Sequence, residues 1–359
     1  MVRNLVAFLV CVSIAGVGAQ ETVRRPFLGV THITRSESSP RDVRMHIVTI
    51  DLTAPGIRIK VTPPGGPRET IRQTTLQFLQ EERAQVAVNA HFFLPFPSAN
   101  PFASLIGLAA SNGIVYSAFE VPEQSYAIVT NAPAINIDAR NRAGIVHRRP
   151  GGAGTDVIER ATPWNAVAGS AQIITNGVKT IPIYQDAQHP RALLIPGGPT
   201  DYSNGRSWYD VPNARTVIGL ANRQRTLILF TVDRAAGSLG MSLGEVADLL
   251  IRDYRVEQAL NLDGGGSTTL AMEDPVTHER SIVNHSSDNP AGRAVGSNLA
   301  IFARMPQSRR SVREQELRPR VMLDHEHHPR IARDYGLMFW LTLNRLCLSY
   351  FRLIETSFL

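Results

Sequence analysis

Cysteine is nearly absent from this chain of 359 residues: Cys11 and Cys347 are the only two. Cys11 lies in an N-terminal apolar run that reads as a removable leader, so a mature chain would keep Cys347 alone. No intramolecular disulfide is then available, and an exported protein of this kind must be held by its core. Lysine is equally scarce, with Lys60 and Lys179 the only two, and every other basic side chain is Arg. That skew reflects genomic base composition better than it reflects a binding surface. The net charge of +6 is also poorly placed for nucleic acid. The segment 306–359 carries a surplus of +3 and Arg3 adds one, leaving only +2 for residues 20–305. A domain so close to neutral lacks the electrostatic footprint of a polyanion binder. Long hydrophobic runs are missing too. The stretch Leu5–Val17 is short for a membrane span. The apolar C-terminal stretch is interrupted by Asn344, Arg345, Arg352 and Glu355, which make a span expensive. There is no phosphate-binding P-loop and no cysteine-based metal site.

What is present begins with a leader. Arg3, the apolar run and the small-residue exit Val17-Gly18-Ala19 have the layout of a secretory signal peptide cleaved after Ala19. Val10 is too bulky before Cys11 for a typical lipid-attachment site. The expected organisation is a signal peptide over 1–19, a lead-in over 20–42, one main domain over 43–305 and an atypical tail over 306–359. The tail is charged and then apolar. It reads either as a membrane-associated helix or, as favoured here, as an extension or frame artefact beyond the domain. Its tract Asp324–Arg330, "DHEHHPR", is only a compositional hint of metal binding.

Within the domain, "RMHIVTIDLTAPGIRIKV" reads as two strands around Ala54-Pro55-Gly56, and "AQVAVNAHFF" as a buried strand ending at Asn89. "TIRQTTLQFLQEER" reads as a helix with Thr70 as N-cap. "SLGEVADLLIRDYRV" is the clearest helix: Ser242 and Glu245 have capping-box spacing, and Leu243, Val246, Leu249 and Leu250 share one face. Strands outnumber helices and do not alternate with them. The expected class is therefore α+β, a twisted mixed β-sheet core with a few packed helices in a single main domain.

The most informative segment is "ALNLDGGGSTTLAM", Ala259–Met272. Asp263 follows a strand and precedes Gly264, Gly265 and Gly266, whose successive N–H groups could form a concave nest for an anionic oxygen. Ser267 and Thr268 would add hydroxyls at the same edge. The alternative is a tight turn that needs glycine only for its dihedrals. Arg215, with Thr216 beside it, opens an apolar strand and reads either as a phosphate clamp or as a strand-edge ion pair. Asn89 and Asn298 are either sugar-hydroxyl partners or turn-capping amides. Asp233 is a second carboxylate or a turn cap. His91 is a packed histidine or, next to Asn89, a substrate contact.

Seven pieces occurring in order resemble the phosphodiester glycosidase family: "VNAHFF", "VAGSAQIITNG", "ARTVIGL", "LFTVDR", "GMSLGEVADLL", "ALNLDGGGSTTL" and "GRAVGSNLAIF". They span roughly Val43 to Arg304. Two departures stand out. Asp233-Arg234 replaces a commoner Asp-Gly-Arg, and His91 replaces a commoner small residue. The resemblance implies an exported hydrolase cleaving between a sugar anomeric carbon and a phosphodiester in an envelope or extracellular glycan such as an exopolysaccharide. It implies Asp263, Arg215 and Asn89 as catalytic residues. Gly264, Gly265, Gly266, Ser267, Thr268, Thr216, Asn298, Asp233 and His91 would then be substrate-binding. Glycosidic cleavage usually needs a second acid or base, which spacing does not assign. A divalent cation stays open as cofactor, and so does the oligomeric state. The rival reading from another class is a non-catalytic glycan-binding or polysaccharide-assembly protein using the same pocket. A phosphodiesterase cutting P–O bonds is a third.

Overall fold

The computed structural model describes residues 19–120, 128–195 and 202–306. The leader and the tail, including "DHEHHPR", lie outside the described residues. The described residues belong to one compact unit. Among the described residues the fold is mostly β-sheet with two α-helices.

An eight-stranded sheet runs in the order Gln20–Phe27, Val30–Glu37, Val43–Asp51, Thr226–Val232, Arg215–Ala221, Val256–Asn261, Ala171–Thr175, Val178–Lys179. Residues 20–42, read from sequence as a lead-in, thus supply its first two strands. Two five-stranded sheets and a short three-stranded one complete the fold. Every ladder between these strands is antiparallel, where the sequence reading expected a mixed sheet. The one helix-length crossover, through Leu243–Tyr254, joins Thr226–Val232 to Val256–Asn261 in the same direction, but the antiparallel strand Arg215–Ala221 lies between them, so they do not pair with each other.

Period-two alternation sorts the core. In Val43–Asp51, Val48 and Ile50 face a core shared with Val86 and Val88 of one five-stranded sheet and Ile135 of the other. Met45 and Ile47 point the opposite way, onto a second core. That second core is closed by helix α2, Leu243–Tyr254, through Leu243, Val246, Leu249 and Leu250. Ser242 and Glu245 cap it reciprocally, as their spacing predicts. Helix α1 is shorter than its apolar pattern suggests and spans Thr75–Glu82. Thr74, not Thr70, is the N-cap: its hydroxyl accepts from the Gln77 N–H while Gln77 Oε1 accepts from the Thr74 N–H. Thr70-Ile71 instead pairs with Phe102-Ala103.

The two strands flanking the Asp-Gly-Gly-Gly turn belong to different sheets. Val256–Asn261 is internal to the eight-stranded sheet, whereas Leu270–Glu273 pairs with Val86–Asn89 in a five-stranded one. The turn is therefore the crossing between two sheets, a place where backbone can open onto a cavity. Among the described residues no helix is long and apolar enough to cross a membrane.

Candidate active site

Asp263 stands at this crossing, and its carboxyl lines a cavity of about 250 Å³. The walls are Phe92, Phe93, Leu94, Phe96, Ile106, Ile128 and Trp208; the floor is Gly264–Gly266, and one cation, Arg293, faces the acid. Two larger grooves, about 940 and 790 Å³, hold none of the candidate residues. The smaller cavity is the candidate site because an acid, a cation and apolar walls converge there.

Burial pushes the Asp263 carboxyl up to about 7, against the Ser267 hydroxyl, the positive charge of Arg293 and the Gly264 N–H, which all favour the anion. A carboxyl so placed exists in both protonation states at neutral pH, which suits a proton carrier. Arg293 is held over the Phe96 ring at 4.5 Å. Its Nε donates to Asp288 at 2.8 Å and its Nη1 to Ser267 Oγ at 3.1 Å.

The three glycines serve different ends. A Cβ on Gly264 would meet the Ala214 carbonyl oxygen at 2.9 Å. Gly265 has φ +56°, begins a 3-10 turn, and donates its N–H to that same carbonyl at 2.9 Å. A Cβ on Gly266 would lie 2.4 Å from Arg293 Nη2. The turn differs from a nest of free N–H groups, because the Gly265 donor is committed to Ala214 and the Gly264 donor to the Asp263 carboxylate.

Several candidates support the turn from behind. Asn89 is fully buried. Its Nδ2 donates to the Asp263 carbonyl at 2.7 Å, and its Oδ1 accepts from Thr216 Oγ1 at 2.8 Å and from the Thr269 N–H at 3.1 Å. Thr216 Oγ1 also lies 3.3 Å from Thr268 Oγ1. Asn89, Thr216 and Thr268 thus form one strut under the turn. Asn298 is buried directly opposite Asn89 on the neighbouring strand, and its Oδ1 accepts from Thr75 Oγ1 at 2.7 Å at the start of α1. His91 is fully buried; the Ala168 N–H reaches its Nε2 at 3.1 Å and its Nδ1 meets Ser297 Oγ at 2.7 Å. Burial pushes His91 down to about 4, which keeps it neutral.

Arg215 is fully buried, and its Nε donates to the Met241 carbonyl at 3.0 Å. Its Nη2 donates to the carbonyls of Trp208 at 2.6 Å and Val211 at 2.5 Å. The guanidinium therefore positions the 208–211 segment, which carries Trp208 into the cavity wall. Asp233 does not line the cavity. It is fully buried, accepts from Asn284 Nδ2 at 3.1 Å and lies 3.3 Å from His285 Nδ1. Among the described residues no cluster of three or more His, Cys, Asp or Glu could hold a metal.

The family model for phosphodiester glycosidases matches residues 82–302, more than half of the chain. The chain belongs to the phosphodiester glycosidase family. Over 80 residues it is 39% identical to mouse N-acetylglucosamine-1-phosphodiester alpha-N-acetylglucosaminidase and 38% identical to the human enzyme. That match covers 22% of this chain and 15% of each of those proteins. The zebrafish catalytic domain, auto-inhibited by its pro-peptide, superposes with a TM-score of 0.53 at 23% identity, covering 81% of this chain and 85% of that one. A Burkholderia pseudomallei protein described as exported gives 0.59 at 14% identity, covering 80% and 97%. These two likenesses concern the fold.

Arg293 escaped the sequence reading although it lies in the family motif "GRAVGSN". Nothing in its local pattern distinguishes a site arginine from a solvated one, and only the fold brings it to Ser267. Trp208, Ile106 and Ile128 come from separate segments and carry no spacing signal. Phe92 and Phe93 were legible as neighbours of Asn89, but not as cavity walls.

Proposed function

We propose that the chain is an exported glycosidase that hydrolyses the bond between a sugar anomeric carbon and a phosphodiester in an envelope or extracellular glycan. The observation carrying this reading is an acid with a pKa of about 7 facing an arginine across an aromatic-walled cavity. Family membership supports the bond type. Export rests on the leader layout, and the first strand begins at Gln20, directly after the proposed cleavage point.

A phosphodiester is a good leaving group and needs little protonation, so Asp263 serves best as a base. Its carboxylate takes a proton from water as the water oxygen bonds to the anomeric carbon. The carbon–oxygen bond to phosphate breaks, and its electron pair leaves on the phosphate oxygen. Arg293, steadied by Asp288 and Ser267, supplies the positive charge that stabilises the departing anion. Arg215, bound to three backbone carbonyls, shapes the wall instead. Trp208 and the phenylalanines offer faces to the sugar ring or the aglycone.

One observation favours a second reading, a glycan-binding module: among the described residues Asp263 is the only carboxylate lining the cavity. A panel of sugar-1-phosphodiesters in oxygen-18 water separates the readings. Free sugar carrying the label, formed by the natural chain and not by Asp263→Asn, is the expected result. Label in the phosphate would mean P–O cleavage, and binding by both proteins without turnover would mean a module.

A further inference from the structure

The groove of about 940 Å³ lies where the strand Ala143–Val146 of a five-stranded sheet approaches Ala171–Thr175 and Val256–Asn261 of the eight-stranded one. Its floor is a continuous polar chain. Glu159 Oε1 lies 2.7 Å from His147 Nδ1, and His147 Nε2 lies 3.2 Å from Gln172 Oε1. Gln172 Nε2 donates to Gln258 Oε1 at 2.5 Å, and Gln258 Nε2 donates to Asn176 Oδ1 at 2.9 Å. Gln172 and Asn176 come from the family motif "VAGSAQIITNG", and Gln258 directly precedes "ALNLDGGGS". None of the three is used by the Asp263 cavity.

Three features point to a ligand. Gln172 spends both Nε2 donors, on the Ile174 carbonyl and Gln258 Oε1, whereas Gln258, with one Nε2 bond and one bond to Oε1 among the described residues, keeps donor and acceptor capacity, and so does Asn176. Amides fixed in this way present paired donors and acceptors with little ordering cost, which is what vicinal hydroxyls require. Trp164 contributes an aromatic face to the lining. The fixed charges of the lining are cationic, Arg140, Arg142 and Arg160 against Asp138 and Glu159; Arg142 pairs with Asp138, while Arg140 and Arg160 are exposed and make no ion pair among the described residues.

We propose that this groove holds an acidic stretch of polysaccharide, one bearing carboxylate or phosphate groups, outside the Asp263 cavity. Gln258 precedes Asp263 by five residues, about 16 Å at roughly 3.3 Å per extended residue. A polymer could therefore engage groove and cavity together, gaining local concentration at the acid. The inference goes beyond the proposed hydrolysis and stands without it, because binding in the groove needs no turnover.

The test is calorimetric binding of alginate oligouronates to the full-length chain, with neutral dextran oligosaccharides as control. Gln258→Ala and the double change Arg140→Gln with Arg160→Gln are compared with the natural chain. Arg140 and Arg160 are exposed and Gln258 is half-buried, and circular dichroism checks that each variant is folded. The expected result is oligouronate binding that weakens roughly tenfold in each variant, weakens with added salt, and exceeds dextran binding. Turnover of a small sugar-1-phosphodiester, where present, should be unchanged in these variants. The inference is overturned if the folded natural chain binds no oligouronate, if dextran binds as well, or if groove changes leave binding intact. Failure of the glycosidase reading would appear separately, as absent turnover with binding retained.

Discussion

Asn89 and Asp263 are 174 positions apart in sequence and are joined by a hydrogen bond of 2.7 Å from the Asn89 amide to the Asp263 carbonyl. The bond links two sheets at the point where the chain crosses between them. Asn89 is a positioning residue: it touches the backbone of the acid and does not line the cavity. Asn89→Ala would leave the Asp263 carbonyl and the Thr269 N–H unpaired in a buried place. The expected loss is roughly 2–4 kcal/mol of stability, read as a lower denaturant midpoint, and kcat should fall more than KM changes. An unchanged midpoint would show that the strut is dispensable.

Asp263→Asn tests the acid in two ways. Turnover should fall by roughly 10²–10⁴, the scale of proton-transfer catalysis. Stability should change in the opposite sense, and that change depends on pH. The folded-state pKa of about 7 is raised above the ordinary 3.8, so the folded chain binds this proton more tightly than the unfolded chain does. The stabilisation is fully present below about pH 4 and is lost as pH rises through about 7. The Asn variant should therefore melt higher than the natural chain at pH 8 and lose that advantage at pH 4. Parallel melting curves at both pH values would contradict the raised pKa.

Arg293 and Ser267 both hold the Asp263 pKa below what burial alone would impose. Arg293→Gln and Ser267→Ala should each move the limb of the kcat/KM profile near pH 7 in the alkaline direction. Arg293→Lys, which keeps the charge, should move it less. A limb that stays in place in Arg293→Gln would remove Asp263 as the titrating group.

How much of this was legible in sequence varies with the kind of signal. Helix α2 and its Ser242–Glu245 box were legible because the information is local. Helix α1 starts about one turn later than a cap at Thr70 would place it, because Thr70 pairs with Ala103, a contact that no local pattern announces. Asp263 stood out through its three glycines. Their reasons did not, since Ala214 and Arg293 approach them from 50 residues before and 27 residues after Gly264 and Gly266. Arg215 reads in sequence as a phosphate clamp or a strand-edge ion pair, because an arginine at a strand end gives no hint that three backbone carbonyls will accept from its Nε and Nη2.

Two buried histidines, His46 and His91, and the half-buried His32 give the chain a second pH response. Burial lowers His91 and His32 to about 4 and His46 to about 3, from 6.5. The unfolded chain then takes up protons first as pH falls. The stability these neutral rings contribute is present above about pH 6.5 and is lost toward pH 4. Asp263 works in the opposite direction over part of this range, so the effect is read in Asp263→Asn. The denaturant midpoint of that variant should fall from pH 7 to pH 4.5, and a flat midpoint would show that these rings protonate without penalty.

Gly266→Ala isolates the placement of Arg293 from the chemistry of Asp263. The added Cβ would lie 2.4 Å from Arg293 Nη2 and 2.5 Å from Asp288 Cβ. Both belong to the ion pair that holds the guanidinium beside Ser267. The arginine tip can swing away, so the fold should survive with a loss of about 1 kcal/mol. Its charge would then leave Asp263. Activity should drop and the pH limb should move alkaline, as in Arg293→Gln, and combining the two changes should add little to either. If the two effects instead add in full, Arg293 and the Gly266 turn act on turnover independently, and the cation is not what the third glycine makes room for.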